Sequence, residues 1–350
     1  ATGRIVSPGF IDAHTHSDFN VLADPNCPST VHQGVTSQVV GNCGSSPAPL
    51  VGADDATQRR TAGFEGLFDV DWTSMGGYID KVNKTGVSVN VIPLVGFATV
   101  RNIVIGPVER ASTAGELAKM RTLVEEAVDE GAFGMSTGLF YAPQNFATTE
   151  EVIEVAKGLK KTQALYVTHI RDESDYTIGM GPAIEEAIET ARAVQVPMQI
   201  SHLHALGVAT WKKAPEYVKL IQDARDSGLD VCGDQYPYAA SAGGITGSVM
   251  PRWALNGGRP KILERLADKA TRDRIAQEVK VAFTRRGGVE RHTVSVYHPN
   301  PDFEGMTMDK IAEALGMPAE YAVLAMLDKG DASFVSRIID EEDIEVFIRA

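Results

Sequence analysis

The segment Ile5-Val-Ser-Pro-Gly-Phe-Ile-Asp-Ala-His-Thr-His16 predicts a β-strand over residues 5–13 that runs directly into two histidines. Because alternate residues of a strand point to the same side, His14 and His16 are expected to face one way. Imidazoles are among the side chains that bind metal ions most often. The segment therefore predicts the first strand of a sheet and the beginning of a metal site at its carboxyl end.

Six further strand-like runs follow, and amphipathic helices separate several of them. The runs cover residues 36–40, 87–95, 132–137, 165–170, 197–203 and 229–235. Helical spacing is clear over residues 113–130, where Met120 and Val124 share a face and Thr113 with Glu116 fits a capping box. Strands that alternate with helices predict a parallel sheet, and the sequence has no Walker A motif. The pattern favours an α/β fold, a (β/α)8 TIM-like barrel with its site at the carboxyl ends of the strands.

The predicted barrel core that carries the metal site covers residues 1–240. Beyond Pro237 the pattern is less regular, and glycines that indicate a long loop stand at positions 243, 244, 247, 257 and 258, before short helices. Residues 241–350 are therefore expected to be an insertion or lid with late barrel helices of the same catalytic domain. The sequence begins almost directly with a predicted strand and ends within a predicted helix, whereas natural termini are more often polar and loosely ordered. We therefore expect a piece of a longer protein, truncated before barrel strand eight.

Three more ligand-type residues follow other predicted strands. Cys43 comes after the second strand, His169 ends the fifth and His202 ends the sixth. Because the carboxyl ends of barrel strands meet at one mouth, these side chains are expected to converge with His14 and His16. Neutral imidazoles and a thiolate are suitable ligands for zinc. Each residue alone would more often be structural, but five of them at four strand ends favour a zinc site.

The other histidines are expected not to bind metal. His32 lies on a predicted helix, and His292 and His298 lie in the irregular region, so each is predicted to be structural. His204 shares a face with His202 but lies farther along the chain. We therefore expect His204 to line the pocket wall rather than to be a ligand.

The composition narrows the possible partners and location. Of the 350 residues, 43% are hydrophobic and 23% are charged, which is typical of a globular protein with a sizeable core. The formal net charge of −13 argues against nucleic acid and membrane surfaces as partners. Only three cysteines are present. This odd and low number argues against a disulfide framework, and it predicts a reducing, cytoplasmic location. The sequence leaves the oligomeric state open.

The first segment, read from Ser7 to His16, resembles the opening barrel strand of the amidohydrolase superfamily. Four further segments make the chain similar to the N-acyl-D-amino-acid deacylase (D-aminoacylase) family: Gly41-Asn-Cys-Gly44, Gly134-Met-Ser-Thr-Gly-Leu-Phe-Tyr141, Thr168-His-Ile-Arg-Asp-Glu173 and Asp234-Gln-Tyr-Pro-Tyr238. This resemblance implies zinc-dependent hydrolysis of the amide bond of N-acyl-D-amino acids, which yields a carboxylate and a free D-amino acid. The implied partner is a small N-acyl amino acid.

The resemblance also implies roles for the predicted ligands. Cys43 stands at the metal-bridging thiolate of the family, and His169 and His202 stand at the other ligands of a tight zinc site. His14 and His16 match a second, weaker site that shares Cys43.

One catalytic group of the family is expected outside this sequence. The general base of the family is an aspartate at the end of strand eight, and none of the acids after residue 300 stands at such a strand end. We therefore expect the general base beyond Ala350, and we assign no catalytic residue within the chain. The small β-sandwich of the family is also missing from the sequence.

Three residues are expected to contact the substrate. Arg171 would form a bidentate pair with the substrate carboxylate, and a structural ion pair with Asp172 or Glu173 is the alternative. Tyr236 matches a substrate-contacting tyrosine of the family, with packing as the alternative. His204 stands where relatives can carry a lysine beside the substrate side chain, so a preference for acidic side chains is not expected.

Other functions stay open at this point. A hydantoinase- or dihydroorotase-like amidohydrolase would act on cyclic amides, but strand four offers Met135, Ser136 and Thr137 and no metal-bridging lysine. A barrel that binds metal without catalysis is a second alternative, and a barrel with purely structural histidines is a third.

Overall fold

The computed structural model describes residue 3, residues 5–50 and residues 64–350. In these ranges seven parallel strands form one sheet, in which each strand pairs with the next one along the chain. The strands are β1 (Phe10–Asp12), β2 (Val35–Val40), β3 (Asn90–Gly96), β4 (Gly134–Gly138), β5 (Leu165–His169), β6 (Met198–Ile200) and β7 (Val231–Gly233). Each predicted strand overlaps one of them. The predicted α/β barrel topology is confirmed, because the sheet curls into a half-barrel with the strand order of a TIM barrel.

Helices separate the strands of this sheet. Over the first part of the chain they are α1 (Asn20–Ala23), α2 (Pro28–Val31), α3 (Met75–Thr85), α4 (Phe97–Val104), α5 (Ala114–Asp129), α6 (Thr149–Ala156), α7 (Met180–Val194) and α8 (Ala214–Asp226). Helix α5 begins with the predicted capping box, in which the Thr113 hydroxyl accepts the Glu116 N–H and the Glu116 carboxylate accepts the Thr113 N–H. It buries Met120, Val124 and Ala127 in the core of the barrel. The helical periodicity of the sequence is confirmed there.

A second structural unit covers residues 241–336, where the sequence predicts a long loop and short helices. The described residues of this unit form an antiparallel sheet of β8 (Ser241–Gly244), β9 (His292–Val296) and β10 (Ser333–Ser336), with β10 in the middle. The remaining helices are α9 (Ile245–Ser248), α10 (Gly258–Ala267), α11 (Lys269–Arg285), α12 (Met308–Leu315), α13 (Ala319–Lys329) and α14 (Glu341–Arg349). Helices α9 to α13 share one apolar core with this sheet. Helix α14 packs on α8 instead.

The loop prediction was wrong because β8 has little sequence signal. The strand reads Ser-Ala-Gly-Gly, and glycines are depleted in strands. Backbone pairing of Gly243 and Gly244 with Phe334 and Ser333 supplies the order that their side chains do not. None of the helices in residues 5–50 and 64–350 combines the length and hydropathy that a bilayer-spanning segment requires.

Acid is expected to destabilise the second unit through His292. The ring is fully buried, and its Nδ1 lies 3.1 Å from the Gly288 carbonyl. Burial, reinforced by the positive charge of Arg286 and Arg291, lowers the pKa of His292 to about 3. The unfolded chain binds this proton near pH 6.5, so stability is lost as the pH falls from about 6.5 toward 3, by up to about 1.4 kcal/mol per pH unit. Urea unfolding of the His292→Phe variant should therefore show a shallower loss of unfolding free energy between pH 6.5 and 4.5.

His298 provides the matched control for this measurement. It lies in an exposed turn two residues after β9, so His298→Phe should leave the pH dependence of the wild-type protein unchanged. Parallel stability curves for the wild type and His292→Phe over this pH range would contradict the prediction.

Candidate metal centre and substrate cavity

One thiol and three imidazoles meet at the carboxyl ends of the barrel strands. The Cys43 Sγ atom lies 3.5 Å from His14 Nε2, 3.8 Å from His169 Nδ1 and 3.6 Å from His202 Nε2. The ligand-type atoms of Cys43, His169 and His202 all lie within 4.8 Å of one another. These three groups are therefore close enough to contact a single ion.

The remaining predicted ligand, His16, joins a second group at the same thiol. The ligand-type atoms of His14, His16 and Cys43 also lie within 4.8 Å of one another. His16 is exposed, whereas His14 is half-buried with its ring centroid 4.9 Å from that of His202. The structure thus brings all five predicted residues together, in two groups that share Cys43.

The loop that carries Cys43 is held by side chains from the next part of the barrel. The Gly44 N–H donates to Ser136 Oγ at 2.9 Å, and the Ser136 hydroxyl donates to the Gly41 carbonyl. The Gln144 amide donates to the Cys43 carbonyl at 3.0 Å. Cys43 has a φ of 53°, a left-handed conformation that costs a residue other than glycine about 1–3 kcal/mol. These hydrogen bonds offset that cost and hold the thiol toward the imidazoles.

Glu173 is a central residue of the site to which the sequence assigned no catalytic or ligand role. Its carboxylate lies 3.2 Å from His169 Nε2, 3.0 Å from His202 Nδ1 and 3.3 Å from His204 Nε2. Burial opposes ionisation, but the three imidazoles outweigh it and hold the pKa of Glu173 well below its usual range. The contacted nitrogens of His169 and His202 are the ones that face away from Cys43. Glu173 therefore favours protons on those nitrogens and leaves the nitrogens beside the thiol free.

Asp234, one residue past β7, makes the corresponding contacts on the other side of the cluster. Its carboxylate accepts the backbone N–H of His202 at 2.7 Å and the side-chain amide of Gln199 at 2.6 Å, and it lies 3.4 Å from the ring nitrogen His14 Nδ1. His202 has a φ of 34°, so Asp234 also holds a second left-handed residue in place. Both Glu173 and Asp234 lie in segments that carried the family resemblance, and that was their only signal in the sequence.

The chemistry of this donor set fits a metal cation. Burial raises the pKa of the Cys43 thiol well above its usual value, and Glu173 and Asp234 raise it further. Burial also lowers the pKa of His169 to about 4, so this imidazole is neutral at neutral pH. A bound cation would reverse the shift at the thiol and stabilise the thiolate. Thiolate sulfur and neutral imidazole nitrogen are ligands that zinc accepts.

A cavity of about 730 Å³ opens above the cluster. His204, 3% exposed, and Tyr236 lie in its wall, with their ring centroids 5.2 Å apart. Tyr141 from the barrel and Arg286 from the second unit line the same cavity. Tyr141 lies in one of the segments on which the family resemblance rests. The sequence around Arg286 has no pattern that predicts its position in the cavity.

Arg171 is not part of this cavity, which corrects its predicted contact with a substrate carboxylate. Its guanidinium binds Glu186 at 2.7 and 2.8 Å and also donates to two backbone carbonyls. The prediction placed Arg171 on the same face as His169 by extending the alternation of a strand. Strand β5 ends at His169, so that alternation does not reach Arg171. Arg171 does form an ion pair, but with Glu186 and not with Asp172 or Glu173, the partners that the alternative named.

The general base expected beyond Ala350 lies outside the residues that the structure describes. Ala350 directly follows α14, the helix that packs on α8. Among the described acids after residue 300, none lines the cavity above the metal cluster. The aspartate beyond Ala350 therefore stays a prediction, and no described acid of that region takes its place.

A parallel half-barrel with a histidine–cysteine cluster at the carboxyl ends of its strands defines an α/β fold of the TIM-barrel class with a candidate metal site at its rim. A family model described as "Amidohydrolase family" matches residues 1–338. The chain therefore belongs to the amidohydrolase family, as its motifs predict, and that family is metal-dependent.

Individual relatives agree with this assignment. The chain is 39% identical over 241 residues to a D-aminoacylase of Alcaligenes xylosoxydans xylosoxydans, covering 69% of this chain and 49% of the relative. It is also 39% identical over 243 residues to an N-acyl-D-aspartate deacylase of the same organism, covering 69% and 48%. The crystal structure of an N-acyl-D-glutamate deacylase from Bordetella bronchiseptica, complexed with zinc and a phosphonate inhibitor, matches with a TM-score of 0.77 and 25% identity, covering 98% and 63%. The chain spans about half the length of the curated relatives it matches.

Proposed function

We propose that this chain carries the metal centre and substrate cavity of a zinc-dependent deacylase that hydrolyses the amide bond of N-acyl-D-amino acids. The observation that carries the proposal is the meeting of the Cys43 thiol with His169 and His202 beneath the cavity. These three residues would hold the tight zinc ion, and His14 and His16 would complete a second, weaker site at Cys43. Names of relatives at 39% identity support the reaction, and the zinc complex of the Bordetella enzyme supports the metal.

Zinc, when bound, supplies Lewis acidity toward water and toward the acyl carbonyl. The protein's own groups position the reactants around it. Burial raises the pKa of Tyr141 and of Tyr236, so both hydroxyls stay protonated and would donate hydrogen bonds to the substrate. His204 lies beside Tyr236 and would contact the substrate from the same wall.

A proton must also leave the water and reach the departing amine. Glu173 and Asp234 are engaged with imidazoles, and their pKa values are held low by those contacts, so neither is suited to carry the proton. The general base is proposed to be an aspartate beyond Ala350, as the family resemblance implies. The residue ranges 1–240 and 241–350 would act as one catalytic domain, because Arg286 of the second range lines the cavity of the first.

The test is an assay of the full-length protein after removal of metal and reloading with zinc. Release of amine from N-acetyl-D-amino acids is expected only in the loaded protein, and the L enantiomers and cyclic ureides should react far more slowly. Preferred hydrolysis of cyclic ureides would replace the proposal with a hydantoinase-like activity. Zinc binding without hydrolysis of any of these compounds would indicate a metal-binding barrel that is not an enzyme.

The cellular location is part of the same proposal. Cys27, Cys43 and Cys232 are all free thiols, which supports a reducing compartment and hence the cytoplasm.

A further inference from the structure

A buried arginine without a counter-ion lines the substrate cavity. Arg286 is 3% exposed and directly follows α11 of the second unit. No carboxylate in the described part of the chain pairs with its guanidinium, and its buried Nε has no hydrogen-bond acceptor. The contact that the structure shows is with the Tyr176 ring, whose centroid lies 5.0 Å from the Arg286 Cζ atom.

The other fully buried arginine of the described residues shows what a structural arginine looks like in this protein. Arg101 is 0% exposed, and its Nε donates to Glu151 at 3.0 Å. Its terminal nitrogens donate to the carbonyls of Val108 and Arg110. Burying a charge without such partners is costly, and the stacked ring of Tyr176 offsets only part of that cost at Arg286. The unused hydrogen-bonding capacity of Arg286 points to an anion that binds from the cavity.

The charges around the cavity identify the kind of anion. Arg286 is the one lysine or arginine among the described residues that line the cavity. Three acidic residues also line it: Asp12, Glu173 and Asp234. Glu173 and Asp234 are already engaged with imidazoles. A planar guanidinium binds a carboxylate through two parallel hydrogen bonds, and every N-acyl amino acid carries at least its α-carboxylate.

We infer that Arg286 is the residue that binds a carboxylate of the substrate in this cavity. The inference rests on the proposed function and deepens it, because it assigns the anion-binding group to the second unit rather than to the barrel. The carboxylate is either the α-carboxylate common to all N-acyl amino acids or the side-chain carboxylate of N-acyl-D-aspartate and N-acyl-D-glutamate. A set of ligands that differ only in these groups distinguishes the two.

The experiment measures binding by calorimetry to zinc-free full-length protein, so that turnover does not interfere. The ligands are N-acetyl-D-leucine, its uncharged amide and N-acetyl-D-glutamate. In Arg286→Met, binding of the recognised carboxylate should weaken by about 10- to 100-fold, which is the loss of one charge-assisted hydrogen-bonding group. Binding of N-acetyl-D-leucinamide should not change. If both acids weaken, Arg286 binds the α-carboxylate, and if only the glutamate derivative weakens, it binds the side chain.

Arg285→Met is the matched control, because Arg285 is adjacent but exposed and should leave all three affinities unchanged. Thermal unfolding separates binding from a structural role. Removing an unpaired buried charge should leave the melting temperature of Arg286→Met unchanged or raised, whereas loss of a structural arginine would lower it.

Two results would overturn the inference. Equal affinity of Arg286→Met and wild type for both acids, in a protein that hydrolyses N-acetyl-D-amino acids, would reject Arg286 and leave the proposed function in place. A wild-type protein that neither binds nor hydrolyses any of these acids would reject the proposed function and the inference with it.

Discussion

Replacing Cys43 with serine is expected to weaken zinc binding by more than about 100-fold and to abolish amide hydrolysis by the full-length protein. Cys43 belongs both to the group with His14 and His16 and to the group with His169 and His202, so its loss removes a ligand from each of these two groups. Contacts that only orient a ligand are commonly worth 10- to 100-fold in metal affinity, and a direct ligand is worth more. The hydroxyl of serine does not replace a thiolate, because it stays protonated and is a poorer partner for zinc.

The measurement is competition for zinc against a chelator of known affinity. Substitution of cobalt for zinc gives a second readout, since a sulfur ligand produces a charge-transfer band that the Cys43→Ser variant should lack. Cys232→Ser is the matched control, because this thiol is exposed on β7 and should leave both readouts unchanged. Retention of wild-type zinc affinity by Cys43→Ser would remove the central ligand from the proposed metal centre.

Replacing Glu173 with glutamine is the second large effect that we expect. The amide has the shape of the carboxylate but lacks the charge that fixes the protons of His169 and His202 on the nitrogens facing away from Cys43. Zinc affinity should fall by about 10- to 100-fold. The free energy of unfolding of the zinc-free protein should also fall, by about 2–3 kcal/mol, because a buried carboxylate charge that lies within 3.3 Å of three imidazoles is lost.

Glu186→Gln separates these two consequences. Glu186 is also buried and binds Arg171, but it has no contact with the proposed ligands. This control should lose a comparable amount of stability and keep the zinc affinity of the wild type. If Glu173→Gln lowers stability but leaves zinc affinity unchanged, Glu173 is a structural residue and does not orient the ligands.

The barrel was predictable from the sequence because its signals are local. Helix α5 shows its apolar face and its capping box within 17 residues, Thr113 to Asp129. The predicted runs 132–137 and 165–170 locate β4 and β5 to within a few residues. The insertion over residues 241–350 was predicted, but its antiparallel sheet was not, because β8 is glycine-rich and gains its order by pairing with β10, about 90 residues later in the chain.

The proposed ligands were predictable for a topological reason. Parallel strands of a barrel all end at the same rim, so residues that follow strand ends meet whatever their separation along the chain. His14, Cys43, His169 and His202 each lie at or shortly after a strand end, and the structure brings them together. Sequence pattern and topology were sufficient to find these residues.

The sequence by itself thus determined the barrel and the cluster of ligand-type residues, because both follow from short-range periodicity and one rule of topology. Only the tertiary structure decided which charges are neighbours. It paired Arg171 with Glu186, placed Glu173 against three imidazoles, and brought Arg286 from the second unit into the barrel's cavity. Electrostatic partners are set by distances of a few ångströms between side chains far apart in the chain, and no local pattern records those distances.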